Sequence, residues 1–102
     1  MKYLAIDIGG TNLKYGYVSQ DGHLLQHWTI PVPTNYNDLL QKITAIYLSS
    51  ENILGVGISS PGIYDMKSNR ITGSSALKYL IGRPLKADIS WALNTTVAIE
   101  ND

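Results

Sequence analysis

A chain of 102 residues, 44% of them hydrophobic, is sized for one small domain with a core of its own. Eight basic residues balance eight acidic ones and there is no Cys, which argues against nucleic-acid or anionic-membrane attraction and excludes disulfides, Cys-ligated zinc and thiol catalysis within the chain. No apolar run approaches the roughly 20 residues of a membrane span and no secretory leader pattern opens the chain, so a cytoplasmic protein is expected.

Lys2 to Ile8 (KYLAIDI) reads as a buried strand stopped by Gly9-Gly10. Leu13 to Ser19 follows as a second strand, Asp21-Gly22 predicts a two-residue type I′ turn, and His23 to Ile30 completes three antiparallel strands. Pro31 and Pro33 break the pattern, Thr34 or Asn35 can cap, and Leu39, Leu40, Ile43, Ile46 and Tyr47 recur at helical spacing over 38–48. Ile53 to Ser59 (ILGVGIS) shows no polar alternation, which predicts a strand buried on both faces and paired in parallel, ending at Ser60-Pro61-Gly62. Residues 62–73 predict a hairpin around Lys67-Ser68-Asn69. Gly82-Arg83-Pro84 leads into a short helix carrying Leu85, Ile89 and Leu93, and Thr95 to Ile99 reads as the last strand. The expected fold is α/β: a mixed sheet of three antiparallel strands followed by parallel strands, joined by crossover helices that cover it.

The sharpest local pattern is Asp7-Ile8-Gly9-Gly10-Thr11. Glycines let backbone N–H groups approach phosphoryl oxygens, Thr11 adds a hydroxyl, Lys14 a positive charge, and Asp7 can orient Mg²⁺ through water. A plain Gly-Gly hairpin beside a carboxylate fits the same residues, and spacing alone leaves both readings open. The P-loop pattern is absent, and Gly55-Val56-Gly57 runs into Ser60-Pro61 where a dinucleotide fingerprint needs glycine. Asn101-Asp102 after an apolar strand put an amide and a carboxylate at the edge where open α/β sheets keep their ligands and a base could act on a hydroxyl, while position alone favours two solvated residues at a chain end. His23 and His27, four apart but beside a turn and strand, should not converge on one ion. Tyr3, Tyr15, Tyr17, Tyr47, Tyr64 and Tyr79 read as packing residues, since no basic residues interleave them.

Taken in order, AIDIGGTNLKYGYV at 5–18, GVGISSPGIYD at 55–65, Gly82-Arg83-Pro84-Leu85, and VAIEND at 97–102 resemble the N-terminal lobe of ROK-family sugar kinases, which have the ribonuclease-H-like fold of actin-like ATPases. The resemblance covers the whole chain. It implies an ATP and Mg²⁺ site at Asp7, Gly9, Gly10, Thr11 and Lys14, with Asp7 the metal residue through water. It also implies Asp102 as general base for a hexose hydroxyl, with Asn101 and Gly62 binding the sugar. Family members often carry Lys directly after the Thr, where this chain has Asn12. The adenosine pocket, a structural zinc motif and further sugar-binding residues belong to a C-terminal half beyond residue 102, so residues 1–102 are expected to be an inactive N-terminal lobe. The partners expected are a hexose and ATP in the full-length parent, with no nucleic acid and no membrane. A charged fraction of 16%, below the usual value of about 25%, fits an apolar surface facing the missing lobe, and with zero net charge to oppose association a homo-oligomer is expected. A ROK-type transcriptional repressor and a stand-alone interaction domain are the alternatives.

Overall fold

The computed structural model describes residues 1–73 and 75–101, the side chain of Asn101 excepted. Three strands open the chain, β1 (Lys2–Ile8), β2 (Asn12–Ser19) and β3 (Leu24–Pro31). They form an antiparallel meander in which Ile8 faces Leu13 and Lys14 faces Thr29. Helix α1 (Tyr36–Leu48) carries the chain back so that β4 (Ile53–Ser60) lies parallel to β1 on its other side. A parallel neighbour demands such a crossover. A separate ribbon of β5 (Ile63–Asp65) and β6 (Arg70–Thr72), a single 3₁₀ turn at Lys78–Leu80 and helix α2 (Leu85–Leu93) make the second crossover. Strand β7 (Val97–Asn101) then joins parallel to β4, giving the order β3-β2-β1-β4-β7.

Local chemistry sets the helix ends. Asn35, not Thr34, caps α1: its backbone is extended and its side-chain oxygen accepts from the Asp38 amide at 2.9 Å. Asn94 ends α2 in the left-handed region at φ 51°, which a short polar side chain tolerates. The buried residues of α1 are Tyr36, Leu39, Ile43 and Ile46, and those of α2 are Leu85, Ile89 and Leu93. Both stripes belong to one core with Leu4, Ile6 and Ile8 of β1, Val56 and Ile58 of β4, and Val97. The helices are also tied directly to each other. The Tyr36 hydroxyl donates to Asp88 at 2.6 Å, and the Arg83 guanidinium lies 4.5 Å from the Tyr36 ring centroid. Burial, then the Asp88 carboxylate, raise the Tyr36 pKa well above its ordinary value.

Several expectations change in detail. Strand β4 is not buried on both faces: Val56, Ile58 and Ser60 are buried, whereas Gly55, Gly57 and Ser59 are half-buried. The β2–β3 turn is not type I′. Gly22 has a positive φ of 91° and Asp21 does not, while the Gly22 amide donates to the Ser19 carbonyl at 3.0 Å and the Ser19 amide to that of His23 at 2.8 Å. This is a three-residue connection with glycine at the left-handed position. The last strand starts at Val97, not Thr95, because left-handed Asn94 ends the helix just before it. Of the seven tyrosines, Tyr36 is buried in the core, Tyr15, Tyr17, Tyr47, Tyr64 and Tyr79 pack against it, and Tyr3 is exposed.

Candidate active site

Parallel pairing brings the C-terminal ends of β1, β4 and β7 to one edge of the sheet. There Asp7 faces Lys14 on β2 and Ser59 on β4, and Ser59 faces Glu100 on β7. Partners in a ladder emerge on the same face, so Thr29, Lys14, Asp7, Ser59 and Glu100 form one polar row across all five strands. At a strand spacing of roughly 4.8 Å, Glu100 lies about 10 Å from Asp7, and Asn101 follows it at the end of β7. The next row on that face is small: Gly16, Ala5, Gly57 and Ala98 lie side by side. A groove of about 560 Å³ opens over these two rows. Asp7 and Lys14 stand opposite each other without closing an ion pair, so both charges remain available to a ligand.

The glycine turn beside Asp7 owes its shape to close contacts. The Gly9 amide donates to the Asn12 carbonyl at 2.9 Å, and a Cβ on Gly9 would lie 2.8 Å from that oxygen. A Cβ on Gly10 would sit 2.9 Å from the Cβ of Ala76, so the segment before the 3₁₀ turn braces the tip. The Thr11 carbonyl accepts from Val32 at 3.0 Å, and its side chain is on an exposed residue. Gly9 is therefore spent on closing the hairpin, and Gly10 and Thr11 stand exposed at its tip.

Ser60, Pro61 and Gly62 leave the same edge of β4. Ser60 is fully buried and pairs in register with Asn101. The Pro61 carbonyl accepts from the Ser75 hydroxyl at 3.3 Å, and Gly62 takes φ 88°, a turn that favours glycine. Gly62 thus follows the end of β4, the strand that lies between β1 and β7. Asp102 lies outside the described residues. Sequence reasoning missed Ser59 and Glu100, which the alternation of β4 and the acid in VAIEND could have signalled. It also missed the isolation of Ser60.

No cluster of three or more His, Cys, Asp or Glu residues fit to hold a metal occurs among the described residues. His23 instead lies 3.3 Å from Asp21 on the β2–β3 turn. Mg²⁺ needs no such cage: it keeps several waters and commonly takes one or two carboxylates with the oxygens of a substrate phosphate. Asp7, exposed beside the glycine turn, suits that manner of binding. No helix among the described residues is long and apolar enough to cross a membrane.

The chain is 32% identical over 103 residues to a beta-glucoside kinase of Klebsiella pneumoniae, covering 100% of this chain and 35% of the relative. Among solved structures, a ROK family protein from Streptococcus pneumoniae TIGR4, in complex with sucrose, superposes with a TM-score of 0.86 at 33% identity, over 100% of this chain and 35% of that one. A ROK family glucokinase from Streptomyces griseus, in complex with glucose and AMPPNP, matches 99% of this chain and 33% of its own with a TM-score of 0.85. At 23% identity, that last match speaks for the fold alone. The chain thus spans about a third of the length of these relatives, and its mixed sheet is that of the ribonuclease-H-like, actin-like class. With the ROK family pattern running through residues 3–102 of this fold, the chain belongs to the ROK family.

Proposed function

We propose that residues 1–102 are the N-terminal lobe of an ATP-dependent sugar kinase that transfers the γ-phosphoryl group of ATP to a hexose hydroxyl. The observation that carries this reading is the convergence of Asp7, the glycine turn and the end of β7 on one sheet edge. Open α/β sheets bind ligands at that edge, and the kinase names of the relatives agree with it. Gly10 and Thr11 meet the phosphates at the tip of the turn that Gly9 closes, and Lys14 faces Asp7 to balance their charge. Asp7 holds Mg²⁺ through water, and the bound ion supplies neutralisation of phosphate charge. Asn101 and Gly62 hold the sugar. Asp102 accepts the proton of the attacking hydroxyl, a role worth about 10²–10⁴ in rate. In-line transfer depends on positioning, so the lobe alone, spanning a third of its relatives, provides one wall of the cleft. A cytoplasmic setting and association between copies complete the proposal.

The test is a coupled ADP-release assay on the full-length gene product with glucose, a beta-glucoside and N-acetylglucosamine. Sugar-dependent release is expected, and Asp102→Asn should lower kcat by about 10²–10⁴-fold while changing sugar KM less. A variant with near-parental turnover overturns the base assignment, and turnover by residues 1–102 alone overturns the single-wall argument.

A further inference from the structure

Ser60 is the one polar residue among the described residues that is fully buried, and its Oγ is the one buried side-chain oxygen without a hydrogen-bond partner. Leaving a buried hydroxyl unpaired costs stability, and folded chains seldom tolerate it without a reason. The two buried positions before it on the same strand face are Val56 and Ile58, where apolar side chains meet the core without such a cost. Ser60 stands where this face reaches the C-terminal edge. Its ladder partner there is Asn101, and the Pro61–Gly62 turn that follows is anchored by Ser75.

We propose that Ser60 is a positioning residue of the sugar site, its hydroxyl held for the end of β7, with which it pairs in register, and called upon when sugar binds. With no exposed atom of its own, Ser60 acts through that neighbour. The inference rests on the sugar-kinase reading above. Hydroxyl loss then has two opposite consequences: the free fold no longer carries an unpaired polar atom, while the sugar-binding end loses its support.

Ser60→Ala in the full-length gene product separates these consequences, because the substitution only removes an atom that has no partner. Expected are a melting temperature equal to or above the parental one, a sugar KM raised about five- to tenfold, and an ATP KM within about twofold of the parent. A sugar KM within about twofold of the parent overturns the proposal, as it would if an ordered water alone satisfied the hydroxyl. A lowered melting temperature with both KM values raised together also overturns it, since that marks a purely structural role. A parental protein without sugar-dependent ADP release, by contrast, removes the kinase reading on which the proposal rests.

Discussion

The two faces of the sheet are made by alternate residues of the same strands and have opposite characters. Toward the helices, β1 presents Leu4, Ile6 and Ile8 and β4 presents Val56 and Ile58, all buried. Toward the groove the same strands present Tyr3, Ala5 and Asp7, and Gly55, Gly57 and Ser59, none of them fully covered. One face spends its side chains on packing. The other keeps them small or polar, so its backbone lies open to whatever settles there. Stability and ligand handling are thereby assigned to different residues one position apart, and substitutions on the two faces should report on different properties.

The largest effect is expected on the packed face. Ile6→Ala should lower stability by about 2–5 kcal/mol in urea unfolding of the chain, as for other buried aliphatic truncations. Its neighbour Asp7→Asn should leave stability within about 0.5 kcal/mol but reduce turnover of the full-length protein by about 10²–10³-fold. Equal losses of stability at both positions would erase the division between the faces. Within the groove the comparison sharpens further. A Cβ on Gly16 would run into the Gln26 carbonyl oxygen, whereas one on Gly57 meets nothing within 4 Å. Gly16→Ala should therefore cost about 1–3 kcal/mol, and Gly57→Ala should stay within about 0.5 kcal/mol of the parent.

The smallest effect concerns the helix layer. Tyr36→Phe removes the hydrogen bond to Asp88 and should cost about 0.5–1.5 kcal/mol at neutral pH. Because the folded-state pKa of Tyr36 is raised above the ordinary 10.0, that contribution is fully present below pH 10 and is lost as pH rises toward the folded value. Urea midpoints at pH 7 and pH 11 should accordingly show the gap between parent and variant narrowing. A gap that widens at pH 11 would contradict the buried, neutral phenol.

Both helices were legible because Leu39, Ile43 and Ile46, and Leu85, Ile89 and Leu93, repeat at helical spacing, and burial follows that spacing. The antiparallel opening was legible for a similar reason: glycine turns punctuate short β-rich runs. Strand β4 was misread because Gly55 and Gly57 interrupt no hydrophobic pattern, although on a sheet they leave one face bare. The β2–β3 turn was misread because Asp-Gly allows more than one geometry, and only Gly22 took the left-handed one. The 3₁₀ turn at Lys78–Leu80, with Leu77 and Leu80 buried, went unnoticed between longer elements. At the site, the glycine turn was visible as a pattern, yet its division of labour was not: that Gly9 closes the hairpin and Gly10 makes room for Ala76 depends on contacts 3 and 66 residues away. Ser60 was visible only as the start of the Ser60-Pro61-Gly62 turn, and its missing partner was not, since that is a property of three-dimensional surroundings.

The position of β1 in the middle of the sheet bears on how the chain acquires its structure. Its β2 neighbour begins at Asn12, whereas its β4 neighbour begins at Ile53, and Lys2 is matched with Ile53 across 51 positions of chain. The meander from Lys2 to Pro31 can assemble from local contacts as soon as it is synthesised. Docking β4 must first close a long loop, a slower event in chains of this topology. Until it does, β1 carries one unpaired edge, and only α1 is at hand to cover the apolar row Leu4, Ile6 and Ile8. A nascent chain paused before residue 53 would therefore be the form most exposed to chaperones and to mispairing with another copy.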